Sequence, residues 1–340
     1  MTFKAFVHSQ LLEGGWATTL NQDTKLTPAI VKKVVKLAEK FFVEANKYLV
    51  KQGLEEVEFM GPVGSVSYYE KDDTEQPDKE YGDIDTLVAI PRQEGTTEYK
   101  NTKNYYTAII EFAEKCNLPF IIPVEESKTA GQFIMIKDGD AVVQVDMIFT
   151  FHHSKEWAKS RYKPEHNVKG ALFGNLLSSL AEVLHFSIQG YGVQSKSKDG
   201  VQVPFRTQKA DVHTVSVNPK EFIIDILKHV GGKDVKVDSD IKKYAGFSDD
   251  VKVSNIAKSI KALANAFALN DLFGKGLLKD FATKEEFLDK IADIYVTKMK
   301  KAADATKFDK VTSDLAIEKA KKVKQQFIEF SSTIAKDLRS

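Results

Sequence analysis

The chain has 340 residues, of which 42% are hydrophobic and 29% charged, and its 49 Lys+Arg nearly balance 48 Asp+Glu. This length suits two domains with separate cores, and the composition excludes a disordered, collagen-like or low-complexity protein. Every uncharged apolar run falls well short of the ~18 residues that a membrane span requires, and the first residues lack the apolar core of a secretion signal. We therefore expect a cytoplasmic protein without a membrane partner.

The two halves of the chain differ in charge. Residues 1–150 contain 16 Lys+Arg and 24 Asp+Glu, whereas residues 151–340 contain 33 and 24. The basic second half is typical of a protein that binds a polyanion such as RNA or a triphosphate, and equally of lysines that solvate helix surfaces. Only four of the basic residues are arginine. Arginine is the usual residue for two-pronged recognition of bases, so its scarcity disfavours sequence-specific binding of duplex nucleic acid.

The first 150 residues alternate between helix-like and strand-like patterns. Thr27-Pro28 starts a stretch with apolar residues at helical spacing, and Gly53 suits its end. Asp138-Gly139-Asp140 has the composition of a hairpin turn between two strands. The predicted order is a helix over 28–52, a strand over 57–60, a turn over 61–65, a polar loop over 66–82, a strand over 84–91, a helix over 99–116, and strands over 132–137 and 141–151.

Helical patterns dominate beyond residue 165. Thr283-x-x-Glu286 is a capping box that opens a helix, and apolar residues spaced by three or four positions predict a final amphipathic helix over 316–334. Helices are also predicted over 168–186 and 254–269, with a loop or small hairpin between 187 and 215. The predicted fold class is α+β, with a mixed β-sheet domain over residues 1–160 followed by a mostly helical domain over 161–340.

Three aspartates lie in or beside the predicted strands. Asp83 and Asp85 are two positions apart at the head of a strand, so their side chains face the same side of the sheet. Asp146 lies in a later strand among apolar residues, where an ionised carboxylate is costly unless it is paired or metal-bound. Carboxylates that converge on one face repel one another, and Mg²⁺ or Mn²⁺ relieves that repulsion. Two such ions would activate a hydroxyl and stabilise a pyrophosphate leaving group.

Gly64-Ser65 follows the strand predicted over 57–60. Glycine lets the backbone approach a phosphate closely, and serine donates its hydroxyl and its N–H to that phosphate. A Gly-Ser turn alone is a weak signal that becomes strong beside the three aspartates. The alternative is that Asp83 and Asp85 are solvated at a strand entry, and that Asp146 bonds the backbone or a lysine.

Gly64-Ser65, Asp83-Ile84-Asp85 and Asp146 together resemble the signature of the polymerase-β-type nucleotidyltransferase superfamily, which contains poly(A) polymerases and CCA-adding enzymes. The resemblance implies that the three aspartates hold two metal ions and that the Gly-Ser turn binds a nucleoside triphosphate. It also implies a nucleotidyltransferase-fold mixed sheet with helices on one face, followed by a helical domain that contributes to the nucleotide pocket.

The same resemblance implies a lysine that contacts the triphosphate from a helix after the third aspartate. Lys169 is the candidate, at the end of a basic cluster that includes Lys155, Lys159 and Arg161, and a solvated surface lysine is the alternative. The 17 residues between Ser65 and Asp83 exceed the family's usual spacing. We expect this loop to bulge outward and shape the acceptor site.

The expected activity is Mg²⁺-dependent transfer of a nucleoside monophosphate from a nucleoside triphosphate, ATP included, to an acceptor hydroxyl. An RNA 3′ end, of tRNA or another RNA, fits the basic second half. A small molecule or a protein side chain, as in toxin-like members of the superfamily, is the rival acceptor. A nucleotide sensor or RNA-binding module without turnover is the alternative function, and loss of one metal aspartate would mark it.

Overall fold

The computed structural model describes residues 26–81, 84–93, 98–123, 132–162, 169–195, 213–247, 253–304 and 314–340. These residues form two compact units, which run from 26 to 162 and from 169 to 340. The first contains a five-stranded mixed sheet, which confirms the expected α+β class. In the described parts of the chain, no helix is both long and apolar enough to cross a membrane.

The first unit places a mixed sheet beside several helices. Its described elements are α1 (Pro28–Lys51), β1 (Glu58–Val63), a 3₁₀ helix (Gly64–Tyr68), α2 (Tyr69–Glu75), β2 (Ile84–Ile90), α3 (Glu98–Lys115), β3 (Ile121–Ile122), β4 (Phe133–Asp138), β5 (Ala141–Phe151), a second 3₁₀ helix (His152–Ser154) and α4 (Lys155–Arg161). The strand order is β1-β2-β5-β4-β3. The central strands β2 and β5 are parallel, and every other pairing in this sheet is antiparallel.

Helix α1 forms where the apolar spacing predicts it. Pro28 is its first residue and Thr27 precedes it in an extended conformation, although the Thr27 side chain makes no capping hydrogen bond. The buried stripe includes Phe42, which stacks on Phe59 of β1 with ring centroids 5.0 Å apart. Burial of this stripe supplies most of the helix's stability, because isolated helices are marginal in water.

The strands over 84–90, 133–138 and 141–151 are confirmed, and Gly139 in the hairpin between the last two has φ +62°. The turn predicted over 61–65 is wrong in its first part, because β1 continues through Gly61-Pro62 to Val63. The pairing with β2 shifts register between Phe59 and Pro62. Proline lacks an N–H, and a bulge in an edge strand accommodates that loss.

The loop predicted over 66–82 is also wrong in its first part, because the 3₁₀ helix Gly64–Tyr68 and α2 occupy residues 64–75, whereas residues 76–80 form neither helix nor strand. Helix α2 packs against α1, and its Asp72 is buried at 6% exposure. Asp72 accepts hydrogen bonds from Lys79, at 2.6 Å, and from the hydroxyl of Tyr81. The backbone N–H of Tyr81 in turn donates to the carbonyl of Leu26 at 2.9 Å. These polar residues therefore satisfy one another instead of facing water.

The second unit is mostly helical, as predicted. Its described elements are α5 (Lys169–Val183), β6 (Phe186–Gln189), β7 (Gly192–Ser195), β8 (His213–Ser216), α6 (Phe222–Gly231), α7 (Ser239–Lys243), α8 (Val253–Leu269), a 3₁₀ helix (Gly276–Leu278), α9 (Lys284–Asp304) and α10 (Asp314–Arg339). The three strands form a small antiparallel sheet in the order β6-β7-β8. Thr283 caps α9 as predicted, since its hydroxyl accepts from the N–H of Glu286 at 3.2 Å.

A half-buried lysine joins α9 to α5. The Nζ of Lys298 donates to the carbonyl and to the hydroxyl of Ser178, at 2.9 and 2.8 Å, and lies 2.9 Å from a carboxylate oxygen of Glu182. Burial lowers the pKa of Lys298, and Glu182 opposes that shift. An ammonium group has three N–H donors and all three have acceptors here, so the cluster is a structural clamp between the two helices.

Candidate active site

Asp85 and Asp146 are neighbours across the centre of the mixed sheet. Asp85 lies on β2 and Asp146 on β5, and the parallel register pairs the two residues directly. Adjacent strands lie about 4.8 Å apart, and partners in a parallel pair point to the same face. Both residues are half-buried, whereas the strand neighbours of Asp146, Val145 and Met147, are no more than 2% exposed. The structure thus brings together two of the three predicted carboxylates at a solvent-accessible position.

The face that carries the two carboxylates continues into a small apolar cluster. Leu87 and Ile148 lie two positions beyond Asp85 and Asp146 and therefore share their face. They pack with Val63 of β1 and with Ala158 of α4. Helix α4 therefore covers one end of this face, and the carboxylates lie next to the covered part. The opposite face is the deeply buried one, and its residues, each no more than 2% exposed, include Ile84, Thr86, Val145 and Met147.

A hydrogen bond from Gln144 orients the Asp146 carboxylate. The amide nitrogen of Gln144 donates to Oδ1 of Asp146 at 2.8 Å, and Gln144 is itself buried at 7% exposure. The hydroxyl of Thr86 donates to the backbone carbonyl of Asp146, also at 2.8 Å. Gln144 is therefore a positioning residue that sequence reasoning missed. The alternation of the strand could have indicated this role, because Gln144 lies two positions before Asp146 and therefore on the same face of the sheet.

Gly64 lies against the Asp85 side chain. Its φ is +69°, a conformation that favours glycine, and a Cβ at this position would lie 3.2 Å from Oδ2 of Asp85. The preceding residue, Val63, pairs with Asp85 across β1 and β2. The N–H of Gly64 donates to the carbonyl of Tyr162 at 3.1 Å. Gly64 is therefore required both for its backbone conformation and for the space that Asp85 occupies.

A pair of glycine substitutions separates these two requirements. Gly61 has φ +89° but no atom within 4 Å of a Cβ placed there. We expect Gly64→Ala and Gly61→Ala each to lose about 1 kcal/mol of unfolding free energy from the positive φ. Only Gly64→Ala should also displace the Asp85 carboxylate and weaken Mg²⁺ binding severalfold, as measured by calorimetric titration. Equal Mg²⁺ affinities for the two variants would contradict this role of Gly64.

The remaining predicted site residues are described only in part. Asp83 lies outside the described residues, and Ser65 belongs to the 3₁₀ helix after β1 but its side chain lies outside the described part. Lys169 is the first residue of α5 in the second unit, and its side chain is likewise not described. The described residues contain no group of three or more His, Cys, Asp or Glu that could hold a metal ion. Asp85 and Asp146 supply two carboxylates, and Asp83 is the predicted third.

Comparison with known proteins adds no assignment. No protein-family model, curated protein or solved structure matches the chain. The resemblance to the nucleotidyltransferase superfamily thus stays a prediction that rests on the residues Gly64, Ser65, Asp83, Asp85 and Asp146.

Proposed function

We propose that the protein is a nucleotidyltransferase, which moves a nucleoside monophosphate from a nucleoside triphosphate to an acceptor hydroxyl and releases pyrophosphate. The observation that carries the proposal is the in-register pair of Asp85 and Asp146 beside Gly64. The proposal includes a nucleotidyltransferase fold for the mixed sheet. Two like charges on adjacent strands are costly for folding alone, so their presence at a solvent-accessible position favours a role in chemistry.

The donor set of this site suits Mg²⁺ or Mn²⁺. Asp85 and Asp146 are half-buried carboxylates on one face of the sheet, and Asp83 precedes Asp85 by two positions. Carboxylate oxygens are the ligands that these ions prefer, and partial exposure suits an ion that keeps several waters. Asp83, Asp85 and Asp146 would hold two ions. When bound, the metal would lower the pKa of the acceptor hydroxyl and neutralise phosphate oxygens.

The chain's own residues have separate tasks in the proposed reaction. Gln144 holds the Asp146 carboxylate in place beside Asp85, and this carboxylate would accept the proton of the acceptor hydroxyl. The acceptor oxygen then forms a bond to the α-phosphorus as the bond to the pyrophosphate breaks. Gly64 contributes space rather than a hydrogen bond to the triphosphate, because its N–H already donates to Tyr162. Ser65 is the proposed donor to the phosphate oxygens.

The proposed acceptor is an RNA 3′ end. The excess of 33 Lys+Arg over 24 Asp+Glu in residues 151–340 supports this choice, because RNA binding depends on neutralising phosphates. Helical units rich in lysine attract a polyanion without reading its bases, which suits recognition of an RNA end rather than of a duplex sequence. A small hydroxyl compound or a protein side chain requires no such charge.

The test is incubation with each nucleoside triphosphate labelled at the α-phosphate, together with Mg²⁺ and total RNA. We expect label in RNA for the wild-type protein and none for the Asp83→Ala/Asp85→Ala variant. Label on the protein itself or on an added small hydroxyl compound would keep the transferase and replace the acceptor. Binding of nucleotide without any labelled product would overturn the proposal and indicate a nucleotide-sensing or RNA-binding module.

A further inference from the structure

Helix α4 runs back across the face that carries the two carboxylates. After β5 ends at Phe151, the short 3₁₀ helix His152–Ser154 reverses the chain, and Ala158 then packs on Leu87 and Ile148. Residues three positions apart share one side of a helix, so Arg161 follows Ala158 on the side that faces the sheet. Arg161 is the last residue of this helix.

The end of α4 lies at the level of the Asp85–Asp146 pair. The carbonyl of Tyr162, the residue after Arg161, accepts the hydrogen bond from the N–H of Gly64 at 3.1 Å. Gly64 in turn lies against the carboxylate of Asp85. Three segments of the first unit therefore meet here: the start of β2, the turn at Gly64 and the end of α4.

The guanidinium of Arg161 differs from the other cations of its helix in burial and in hydrogen bonding. Lys155 and Lys159 pair at the surface with Glu58 and Glu156, at 3.1 and 3.8 Å. The Nη1 of Arg161 instead is buried and makes no hydrogen bond within the part of the chain that the structure describes. Its Cζ lies 5.3 Å from the centre of the Tyr162 ring.

A buried donor of this kind calls for an acceptor. A buried N–H without a partner costs about 1–3 kcal/mol, and more when the group is charged, so native proteins rarely leave one unpaired. The guanidinium is planar and permanently charged, and it matches two phosphate oxygens with two parallel hydrogen bonds. An anionic ligand that approaches the Asp85–Asp146 pair also needs a nearby positive charge to offset the repulsion of the carboxylates.

We propose that Arg161 binds the triphosphate of the substrate nucleotide at the end of α4, beside Gly64 and the Asp85–Asp146 pair. The inference rests on the proposed function, and it makes Arg161 the residue that favours a triphosphate over a monophosphate. The triphosphate carries the oxygens that Arg161 would bind in a two-pronged contact, whereas a monophosphate at the reacting position lacks the two outer phosphates.

The test uses inorganic tripolyphosphate with Mg²⁺ as the probe, because its binding does not depend on the base. Calorimetric titrations compare the full-length wild-type protein, Arg161→Gln and the control Lys159→Gln. We expect Arg161→Gln to raise the Kd of tripolyphosphate at least tenfold. Lys159→Gln should bind tripolyphosphate within about twofold of the wild type, since this lysine is exposed.

The outcomes separate this inference from the proposed function. Wild-type affinity in Arg161→Gln, or no binding of tripolyphosphate by the wild type, would overturn the role of Arg161. Loss of tripolyphosphate binding in Arg161→Gln supports that role even if the wild type shows no nucleotidyl transfer. The absence of transfer would contradict only the proposed function. If Arg161→Gln does not fold, Arg161→Lys keeps the charge but not the two-pronged geometry, and an unchanged Kd there would overturn the inference.

Discussion

Replacing Asp85 by asparagine is expected to lower the rate of nucleotidyl transfer by about 10²- to 10³-fold, the usual effect of removing one electrostatic group from an active site. Asn has nearly the same shape as Asp, so the strand pairing of Asp85 with Val63 and Asp146 should persist. What is lost is one of the two negative charges beside Gly64. Initial rates with the labelled nucleotide and acceptor measure the effect.

Asp138→Asn is the matched control. Asp138 lies at the end of β4 in the same sheet, and its carboxylate is 3.7 Å from Lys33 in an exposed ion pair. Such a pair contributes little to stability, so this variant should keep the wild-type rate and stability. Equal rates for wild type and Asp85→Asn, or equal losses in Asp85→Asn and Asp138→Asn, would contradict the assignment of Asp85.

Asp85→Asn also tests the proposed metal site in the absence of any acceptor. The two carboxylates repel each other across neighbouring strands, and a bound cation relieves that repulsion in the folded protein only. At a Mg²⁺ concentration of 100 times Kd, binding would add about 2.7 kcal/mol to the free energy of unfolding. We expect Mg²⁺ to raise the melting temperature of the wild type and of Asp138→Asn, and to have little effect on Asp85→Asn. A shift shared by all three proteins would place the metal elsewhere.

The amino-acid sequence predicts those parts of this site that depend on the alternation of side chains along a single strand. Alternation in β5 correctly puts Gln144, Asp146 and Ile148 on one face and the more deeply buried Val145 on the other. The direct pairing of Asp146 with Asp85 is not a local property. It depends on β5 lying between β2 and β4 in the sheet, which spacing along the chain does not reveal. The same limit hides the hydrogen bond from the N–H of Gly64 to the carbonyl of Tyr162.

The loop predicted over 66–82 is partly wrong because local composition does not show which residues fold back as partners. Residues 66–82 are rich in Asp and contain a proline, which is typical of a loop in water, yet Asp72 is buried. A buried carboxylate is acceptable only with partners, and the partners Lys79 and Tyr81 come from a later segment that folds back on α2. The two-residue strand β3 is missed for a different reason, because so short a segment has no measurable periodicity.

Asp72→Asn is expected to lower the free energy of unfolding by about 2–3 kcal/mol, the largest stability effect we predict for a polar residue of the first unit. The substitution removes the charge that accepts hydrogen bonds from Lys79 and Tyr81 in a site that is only 6% exposed. Lys79 is 28% exposed and regains some water, so the loss stays below that of a fully buried pair. Urea denaturation monitored by circular dichroism measures the effect.

The neighbouring Asp73 provides the control. Its carboxylate lies 3.1 Å from Lys32, and both side chains are substantially exposed, at 27% and 45%. Asp73→Asn removes the same charge from the same helix but should cost less than about 1 kcal/mol, because water replaces the lost partner. Losses of similar size in the two variants would show that burial of Asp72 does not matter. In that case the effect would come from the charge of α2 as a whole.

The pH dependence of stability gives a second measure of the Asp72 cluster. Burial alone would raise the pKa of Asp72, but the hydrogen bonds from Lys79 and Tyr81 outweigh it, and the pKa lies below its ordinary value of 3.8. A depressed carboxyl pKa stabilises the fold fully above the unfolded-state pKa, and this contribution decreases below that value and is lost as the pH falls through the lower pKa of the folded state. The difference in unfolding free energy between wild type and Asp72→Asn should therefore be constant from about pH 8 to 5 and shrink below about pH 4. A difference that persists at acid pH would mean that the Asp72 charge contributes nothing and that only packing is lost.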